Sequence, residues 1–285
     1  MTATLRDRIG RFGVWRTATD VTPELATELD RLGFGTLWLG SSPAGDLIQA
    51  EQLLDATGTL TVGTSIVNMW QDDAHAVAGS FHRLAGRHPG RFVLGVGAGH
   101  QEASQAYQRP YETLAGYVDT LTGDGVPRDD LMLAALGPRV LRLAAERAAG
   151  ALPYLVTPEH TRQAREILGP GPVLAPEHKV VVDTDTERAR ARARTRVRNP
   201  YLGLVNYTSN LRRLGWSDAD LAGGGSDALV DALVAQGSAD RVAVRLREHL
   251  AAGADHVALQ LVTEPGADPV PGYRDLARAL SLRQA

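Results

Sequence analysis

Cysteine is absent from this chain of 285 residues, which excludes disulfides, thiolate metal sites and a cysteine nucleophile. Long apolar runs are missing as well, and none approaches the roughly 20 residues that a membrane-spanning helix needs. The first residues lack the apolar stretch of a secretory signal. From these absences we expect a cytoplasmic protein.

An excess of charge of either sign is also missing. The formal net charge is only −3, which gives no electrostatic reason to expect nucleic acid or an anionic membrane as a partner. We therefore expect a small-molecule substrate and neither of those two partners.

Apolar residues make up 44% of the chain, enough for a sizeable core. Short apolar runs alternate with amphipathic stretches, which is typical of a parallel sheet covered by helices. Eight strands with connecting helices favour a closed (β/α)8 TIM barrel, an α/β fold, over an open sheet. We predict these strands near residues 9–15, 36–40, 61–68, 92–97, 131–135, 150–156, 179–182 and 256–262.

Residues 1–285 are expected to form a single barrel domain, because no linker rich in proline or serine interrupts them. Between about residues 184 and 254 the sequence predicts helices and no strand. We interpret this region as a helical excursion, inserted before the last strand. Its helices are predicted near residues 186–198, 202–214, 227–235 and 239–252.

In such a barrel the chemistry lies where strands end and the following loops begin. The fourth strand ends in Gly95, Gly97 and Gly99, but it lacks the spacing and the acidic residue of a dinucleotide fingerprint. These glycines either open the barrel mouth to a flat ring or serve tight packing. His100 follows directly and suits general acid–base work, or it forms hydrogen bonds within a loop.

After the fifth strand, Gly137, Pro138 and Arg139 form a turn that enters a helix. The free N–H groups and the positive dipole end of that helix make a seat for phosphate, to which Arg139 adds charge. An ordinary helix start with a surface arginine is the alternative. Asn206, Tyr207 and Asn210 either line the substrate side or cap a helix.

Other patterns indicate no chemistry. The histidines at 75, 82 and 88 lack a carboxylate at ligand spacing, so we expect no metal site. No G-x-S-x-G motif supports serine hydrolysis. The arginines at positions 188 to 198 recur every second residue and so spread around a helix. They predict a solvated surface helix, although a few could reach an anionic cofactor tail.

Five segments carry a family resemblance: residues 29–38 (LDRLGFGTLW), 64–68 (TSIVN), 89–100 (PGRFVLGVGAGH), 137–150 (GPRVLRLAAERAAG) and 253–257 (GADHV). With them the sequence resembles the bacterial luciferase-like monooxygenase superfamily, specifically its actinobacterial branch of coenzyme F420-dependent oxidoreductases. The resemblance covers nearly the whole chain. It implies a (β/α)8 barrel that binds a deazaflavin or flavin ring at its mouth, and it also implies a homodimer.

The resemblance assigns residues to this ring. A non-proline cis peptide at Ser65–Ile66 would back the ring, and His100 would be the nearest catalytic acid or base. The implied cofactor-binding residues are Ser65, Ile66, Asn68, Gly97, Gly99, Gly137, Pro138 and Arg139.

Two departures from the family pattern are visible. Related deazaflavin enzymes often place Asp-His after the second strand, where this chain has residues 40–43 (GSSP), and Ala149 stands where Asp is usual. The expected function is F420-dependent hydride transfer to or from a small organic substrate. The alternatives are an FMN-dependent monooxygenase, which needs a partner reductase and dioxygen, and a cofactor-binding barrel without turnover.

Overall fold

The computed structural model describes residues 3–100 and 109–283. Within these ranges strands alternate with helices over most of the chain, as predicted from the alternation of apolar runs and amphipathic stretches. The strands are β1 (Phe12–Thr17), β2 (Thr36–Gly40), β3 (Thr61–Ser65), β4 (Val67–Asn68), β5 (Phe92–Gly97), β6 (Leu131–Leu133), β7 (Gly150–Ala151), β8 (Val173–Leu174), β9 (Glu177–Val182), β10 (Val234–Gly237) and β11 (Val257–Leu261).

Helices connect these strands and pack against them. They are α1 (Leu5–Ile9), α2 (Pro23–Arg31), α3 (Ile48–Asp55), α4 (Ala74–Arg87), α5 (Pro110–Gly123), α6 (Pro138–Arg147), α7 (Pro158–Leu168), α8 (Thr186–Arg198), α9 (Val205–Arg213), α10 (Asp218–Leu221), α11 (Asp227–Leu233), α12 (Ala239–Ala251) and α13 (Val270–Leu280). In the part of the chain that the structure describes, no helix is long and apolar enough to span a membrane.

The strand pairings are parallel and close into a ring, which confirms the predicted TIM-type fold. On one side of β1 the strands follow in the order β2, β3, β5, β6, β7 and β8, each paired with the next. On the other side β1 pairs with β11, which pairs with β9. The segment β8–β9 joins the two sides: Ala175 N donates to Ala151 O over 3.0 Å, and Ala258 N donates to Pro176 O over 2.9 Å.

The limits predicted for the first and the sixth strand are wrong. The first strand begins at Phe12 rather than at Ile9, because residues 5–9 form α1, which ends at Gly10 with φ +65°. The sixth strand ends at Ala151 rather than at residue 156. Pro153 has no N–H to continue the ladder, and Leu155 adopts a left-handed φ of +55°.

The region before the last strand contains the predicted helices, but the expectation that it holds no strand is wrong. Residues Val234–Gly237 form β10, which pairs with β9 in register Val234↔Lys179. This strand occupies the edge of β9 that the early end of β7 leaves open. The sequence prediction missed it because the Leu233-Val234-Ala235 run continues the apolar pattern of α11 without a break.

Buried side chains fill the barrel lumen. Trp38 is fully buried there, and its Nε1 donates to His256 Nε2 over 3.0 Å. A Cβ at Gly63 would overlap the Trp38 ring, so this strand position needs glycine for close approach. The packed lumen forms the floor on which the site at the barrel mouth rests.

Threonine side chains open two of the helices that follow strands or turns of the barrel. The Thr22 hydroxyl accepts from Leu25 N at the start of α2, with Pro23 in the first turn. Thr157 caps α7 in the same way by accepting from His160 N. Such caps satisfy helix N–H groups that have no partner inside the helix, and they fix where each loop at the barrel mouth ends.

Candidate active site at the barrel mouth

A cavity of about 440 Å³ opens at the carboxyl ends of the strands, within the usual range for small-molecule sites. Its walls come from the ends of β1 and β2, the β3–β4 segment, the loop after β5 and the turn into α6. Residues from the region before the last strand close the remaining side, namely Tyr201, Asn206 and Tyr207.

Most of the predicted site residues come together here. Those that line the cavity are Ser65, Ile66, Asn68, Gly99, His100, Gly137 and Arg139. Gly97 lies behind the wall, where an added Cβ would come within 2.8 Å of Ala134 Cβ and 3.2 Å of Ile66 Cγ1. Pro138 is the first residue of α6 and shapes the turn instead of lining the cavity.

The third strand carries the predicted cis peptide at Ser65–Ile66, which confirms that expectation. Ser65 Oγ accepts a hydrogen bond from Trp15 Nε1 over 3.1 Å. This bond connects the carboxyl ends of β1 and β3. A Cβ at Gly40 would overlap the Trp15 ring. Glycine at the end of β2 thus leaves room for the indole that forms part of the cavity wall.

The loop after β5 is fixed by Asn68. Its Oδ1 accepts from Trp70 N over 3.1 Å, and Trp70 Nε1 donates to Ala98 O over 2.8 Å. Gly99 has a left-handed φ of +61°, and a Cβ there would lie 2.8 Å from Asn68 Nδ2. His100, half-buried, follows this turn with its ring centroid 5.5 Å from that of Tyr207. The turn therefore directs the imidazole toward the tyrosine side of the cavity.

The turn into α6 presents backbone N–H groups to the cavity. Gly137 is the N-cap residue with extended backbone and no side-chain cap, so the first N–H groups of α6 lack helical partners. Arg139 and Val140, which carry two of them, line the cavity. The Arg139 guanidinium itself lies 4.1 Å from the ring centroid of Tyr111. The start of α6 thus offers mainly backbone N–H groups to the cavity, with the arginine beside them.

Two side chains from other helices hold the backbone just before this turn. The carbonyl of Leu136 accepts from His160 Nε2 over 2.9 Å and from Arg213 Nη2 over 3.1 Å. Burial lowers the pKa of His160 to about 4, so the imidazole is neutral at neutral pH and its Nε2 carries the proton for this bond. Helices α7 and α9 therefore both position the start of α6.

Three tyrosines, 154, 201 and 207, form one wall of the cavity, the tyrosine wall. The hydroxyls of Tyr154 and Tyr201 are hydrogen-bonded to each other, and the Tyr154 hydroxyl donates to Gln260 Oε1 over 3.0 Å. Burial raises the pKa of Tyr154 and Tyr207 well above the usual value. These phenols therefore stay protonated and act as hydrogen-bond donors.

A buried ion pair lies behind this wall. Lys179 is fully buried, and its Nζ lies 3.1 Å from Glu177 Oε1 and 3.9 Å from the ring centroid of Tyr154. Glu177 Oε2 also accepts from Leu155 N over 3.0 Å. Burial lowers the pKa of Lys179 to about 8, and Glu177 opposes that shift. At neutral pH a lysine cation thus stands under the tyrosine rings.

The position where related deazaflavin enzymes often have Asp-His carries no titratable group in this chain. Ser41 and Ser42 line the cavity instead, with left-handed φ values of +62° and +53°. Non-glycine residues rarely adopt this conformation, and consecutive examples mark a tightly constrained turn. Among the described residues that line the cavity, the groups suited to acid–base chemistry are therefore His100 and the tyrosines.

The sequence predicted part of the tyrosine wall but not the buried ion pair behind it. Asn206 and Tyr207 line the cavity, whereas Asn210 is buried behind it, where its Oδ1 accepts from Arg213. Trp15, Tyr201 and the Glu177–Lys179 pair were not predicted. A signal existed for the pair: residues two apart on a strand share a face, and opposite charges there predict an ion pair inside the barrel.

Comparison with known proteins confirms the resemblance over part of the chain. The family model for luciferase-like monooxygenases matches residues 13–123, from β1 to the end of α5. No curated protein sequence matches the chain significantly.

Solved structures of low sequence identity share the fold. Apo-MsnO8 is 21% identical with a TM-score of 0.73, and the alignment covers 96% of this chain and 99% of that one. An F420-dependent secondary alcohol dehydrogenase in complex with an F420–acetone adduct is 14% identical, with a TM-score of 0.72 and coverage of 95% and 98%. The FMN complex of the oxygenating constituent of 3,6-diketocamphane monooxygenase, from the CAM plasmid of Pseudomonas putida, is 15% identical, with a TM-score of 0.65 and coverage of 96% and 97%.

Proposed function

We propose that the chain is an oxidoreductase that binds a deazaflavin of the coenzyme F420 type and transfers a hydride between it and a small organic substrate. One observation carries the proposal: residues 65–68, 98–100 and 137–140 converge on a single cavity at the barrel mouth. The family-model match and the F420-dependent neighbour of the same fold support it.

The residues present fit a flat ring that carries a phosphate. The cavity is partly apolar, with Ile66 on one side and Tyr154 on another, which suits a tricyclic ring. The N-terminus of α6 supplies N–H groups, and a side chain at Gly137 would point into open space. That open space is what a phosphate at this seat requires.

Each part of the site has a proposed role. Ser65, Ile66, Asn68, Gly97 and Gly99 shape the ring side, and Gly137, Pro138 and Arg139 form the phosphate side. When bound, the deazaflavin supplies or accepts a hydride at C5. The protein orients the substrate against the ring and excludes water.

The remaining task is to move a proton. Reduction of a carbonyl adds a hydride to carbon and a proton to oxygen, so a donor must stand beside the substrate oxygen. His100 is the proposed donor in that direction and the acceptor in the reverse one. Tyr207, whose ring lies 5.5 Å from the His100 ring, donates a hydrogen bond on the same side and orients the substrate oxygen.

The test is a fluorescence titration of the purified protein with F420 and, separately, with FMN. We expect F420 to bind about tenfold more tightly than FMN and to change redox state with at least one member of an alcohol and carbonyl panel. Tighter binding of FMN would favour the FMN-dependent monooxygenase. Binding without redox change across the panel would indicate a barrel without turnover, and binding of neither cofactor would overturn the proposal.

A further inference from the structure

We propose that a second cleft, beside the first cavity, binds the carboxylate or phosphate group of a small molecule. The cleft has a volume of about 1040 Å³ and lies between α8 and the carboxyl ends of β1 and β11. The proposal deepens the proposed function and rests on it for the source of the anion, which is either the substrate or the cofactor's tail.

Charge points to an anion. Four arginines line the cleft, against two carboxylates among the described lining residues, those of Asp20 and Glu264. The arginines are Arg16, Arg188, Arg192 and Arg196. The local excess of positive charge, in a concave site with protein walls, concentrates anions there.

The arginines differ in how they are neutralised. Arg188 is paired with Asp183 at 2.6 Å, and Arg192 is paired with Glu264. Arg16 uses its Nε on the backbone carbonyl of Asp20 over 2.9 Å. Within residues 3–100 and 109–283, no carboxylate lies within 4.0 Å of the half-buried Arg196 guanidinium, as the ion pairs of α8 show.

The opposite side of α8 provides a contrast. There, Arg190 is paired with Asp231 at 2.7 Å, and Arg194 is paired with Asp227, both from α11. The helix thus neutralises the arginines that pack on α11, while Arg196 faces the cleft with its charge available. A bound carboxylate or phosphate would supply the missing counter-charge by charge-assisted hydrogen bonds.

Arg196 also acts on the buried lysine. The pKa of Lys179 is lowered to about 8, mainly by burial, and the positive charge of Arg196 contributes to that lowering. Lys179 and Arg196 therefore repel each other, and Glu177 is the counter-charge of Lys179 alone. An anion in the cleft would relieve this repulsion.

The position of the cleft links it to the first cavity. Trp15 lines both. Gln260 lines the cleft and accepts a hydrogen bond from Tyr154, which lines the cavity. A molecule with a reacting end and an acidic end can thus occupy both spaces at once, and a cofactor tail can pass from one to the other.

The test follows the Arg196 side chain directly. In the uniformly ¹⁵N-labelled full chain, the Arg196 Nε–Hε resonance is assigned by its loss in Arg196→Gln. We expect inorganic phosphate at millimolar concentration to shift this resonance and to leave that of Arg198, which is exposed on the same helix, in place. Arg196→Lys should still bind phosphate, as followed by protection against thermal unfolding, and Arg198→Gln should behave as the unsubstituted chain.

Added F420 and its tail-free deazaflavin analogue separate the two sources. If F420 shifts the Arg196 resonance and blocks phosphate while the tail-free analogue does neither, the anion is the cofactor's tail. If phosphate still shifts the resonance in the presence of F420, the anion belongs to a separate acid. If F420 does not bind but phosphate shifts Arg196, the cleft stands and the proposed function fails. The proposal would be overturned if phosphate left the Arg196 resonance unmoved. It would also be overturned if Arg196→Gln and Arg198→Gln lost the protection by phosphate to the same extent.

Discussion

The ammonium of Lys179 lies 3.9 Å from the ring centroid of Tyr154, within the range of cation–π contact. The contact connects a fully buried charge to a side chain that lines the cavity. Since Glu177 is its carboxylate partner at 3.1 Å, the tyrosine wall rests on a desolvated ion pair. Such pairs are costly to break one partner at a time.

The first prediction concerns this pair. Glu177→Gln leaves the buried lysine cation without its counter-charge and should lower the free energy of unfolding by about 3–5 kcal/mol. The double variant Glu177→Leu with Lys179→Met should be less destabilised than either of its single variants, because it removes both charges. Urea unfolding measures these changes.

A matched control removes an exposed arginine. Arg162, whose side chain is 52% exposed, is paired with Glu159 at 2.6 Å. Arg162→Gln should change the stability by less than about 1 kcal/mol. Similar losses for Glu177→Gln and Arg162→Gln would show that the buried pair does not support the wall.

The second prediction concerns the seat at α6. A Cβ at Gly137 meets no atom within 4 Å, so Gly137→Val should fold normally and place its side chain where the phosphate would sit. We expect the dissociation constant of the cofactor to rise by about tenfold or more, as measured by fluorescence titration. Gly171→Val, at another glycine with open space around it, serves as the control and should bind the cofactor unchanged.

The third prediction concerns pH. Burial lowers the pKa of His160 and of His256 to about 4, from the ordinary value of 6.5. The unfolded chain therefore takes up protons below pH 6.5 that the folded chain excludes. Stability should be greatest above pH 6.5 and fall as the pH drops toward 4, by about 1.4 kcal/mol per pH unit for each histidine.

Urea unfolding at pH 7.5, 6 and 5 checks this slope. In His256→Gln the slope should be shallower by the contribution of one histidine, because glutamine can still accept from Trp38 and donate to the carbonyl of Gly10. The control His75→Gln, at a histidine whose side chain is 70% exposed, should retain the full slope. A stability that does not change between pH 7.5 and 5 would contradict the assignment of these histidines as neutral.

The fourth prediction concerns Gly40. An added methyl group would overlap the Trp15 ring, so Gly40→Ala should displace the indole and break its hydrogen bond to Ser65. Overpacking of this kind costs about 1–3 kcal/mol, and the moved indole should also weaken cofactor binding. Gly86→Ala on α4, where an added Cβ meets no atom within 4 Å, should keep both the stability and the binding.

Much of the fold was predictable because strands that are covered on both faces appear in the sequence as continuous apolar runs. The helix openings at Thr22, Gly137 and Thr157 were predictable because cap residues and prolines act locally. β10 was not predictable from the apolar run that it shares with α11. It exists because β7 ends early and leaves an edge of β9 to pair, which is a tertiary cause.

The residues of the candidate site were likewise only partly predictable. Gly99 and His100 could be placed at the cavity from the sequence, because the loops that follow the strands form the mouth of such a barrel. The Glu177–Lys179 pair was missed because the strand was predicted to begin at Lys179, which left Glu177 in the preceding loop. Only the ring of strands turns both side chains inward, toward each other and the tyrosines.

The most direct measurement of the central claim is a crystal structure of the chain with F420 bound. We predict the ring in the cavity against residues 65–66 and 98–100, with its phosphate within hydrogen-bonding distance of the N–H groups of Arg139 and Val140. A ring bound elsewhere, or a phosphate far from the start of α6, would contradict the account.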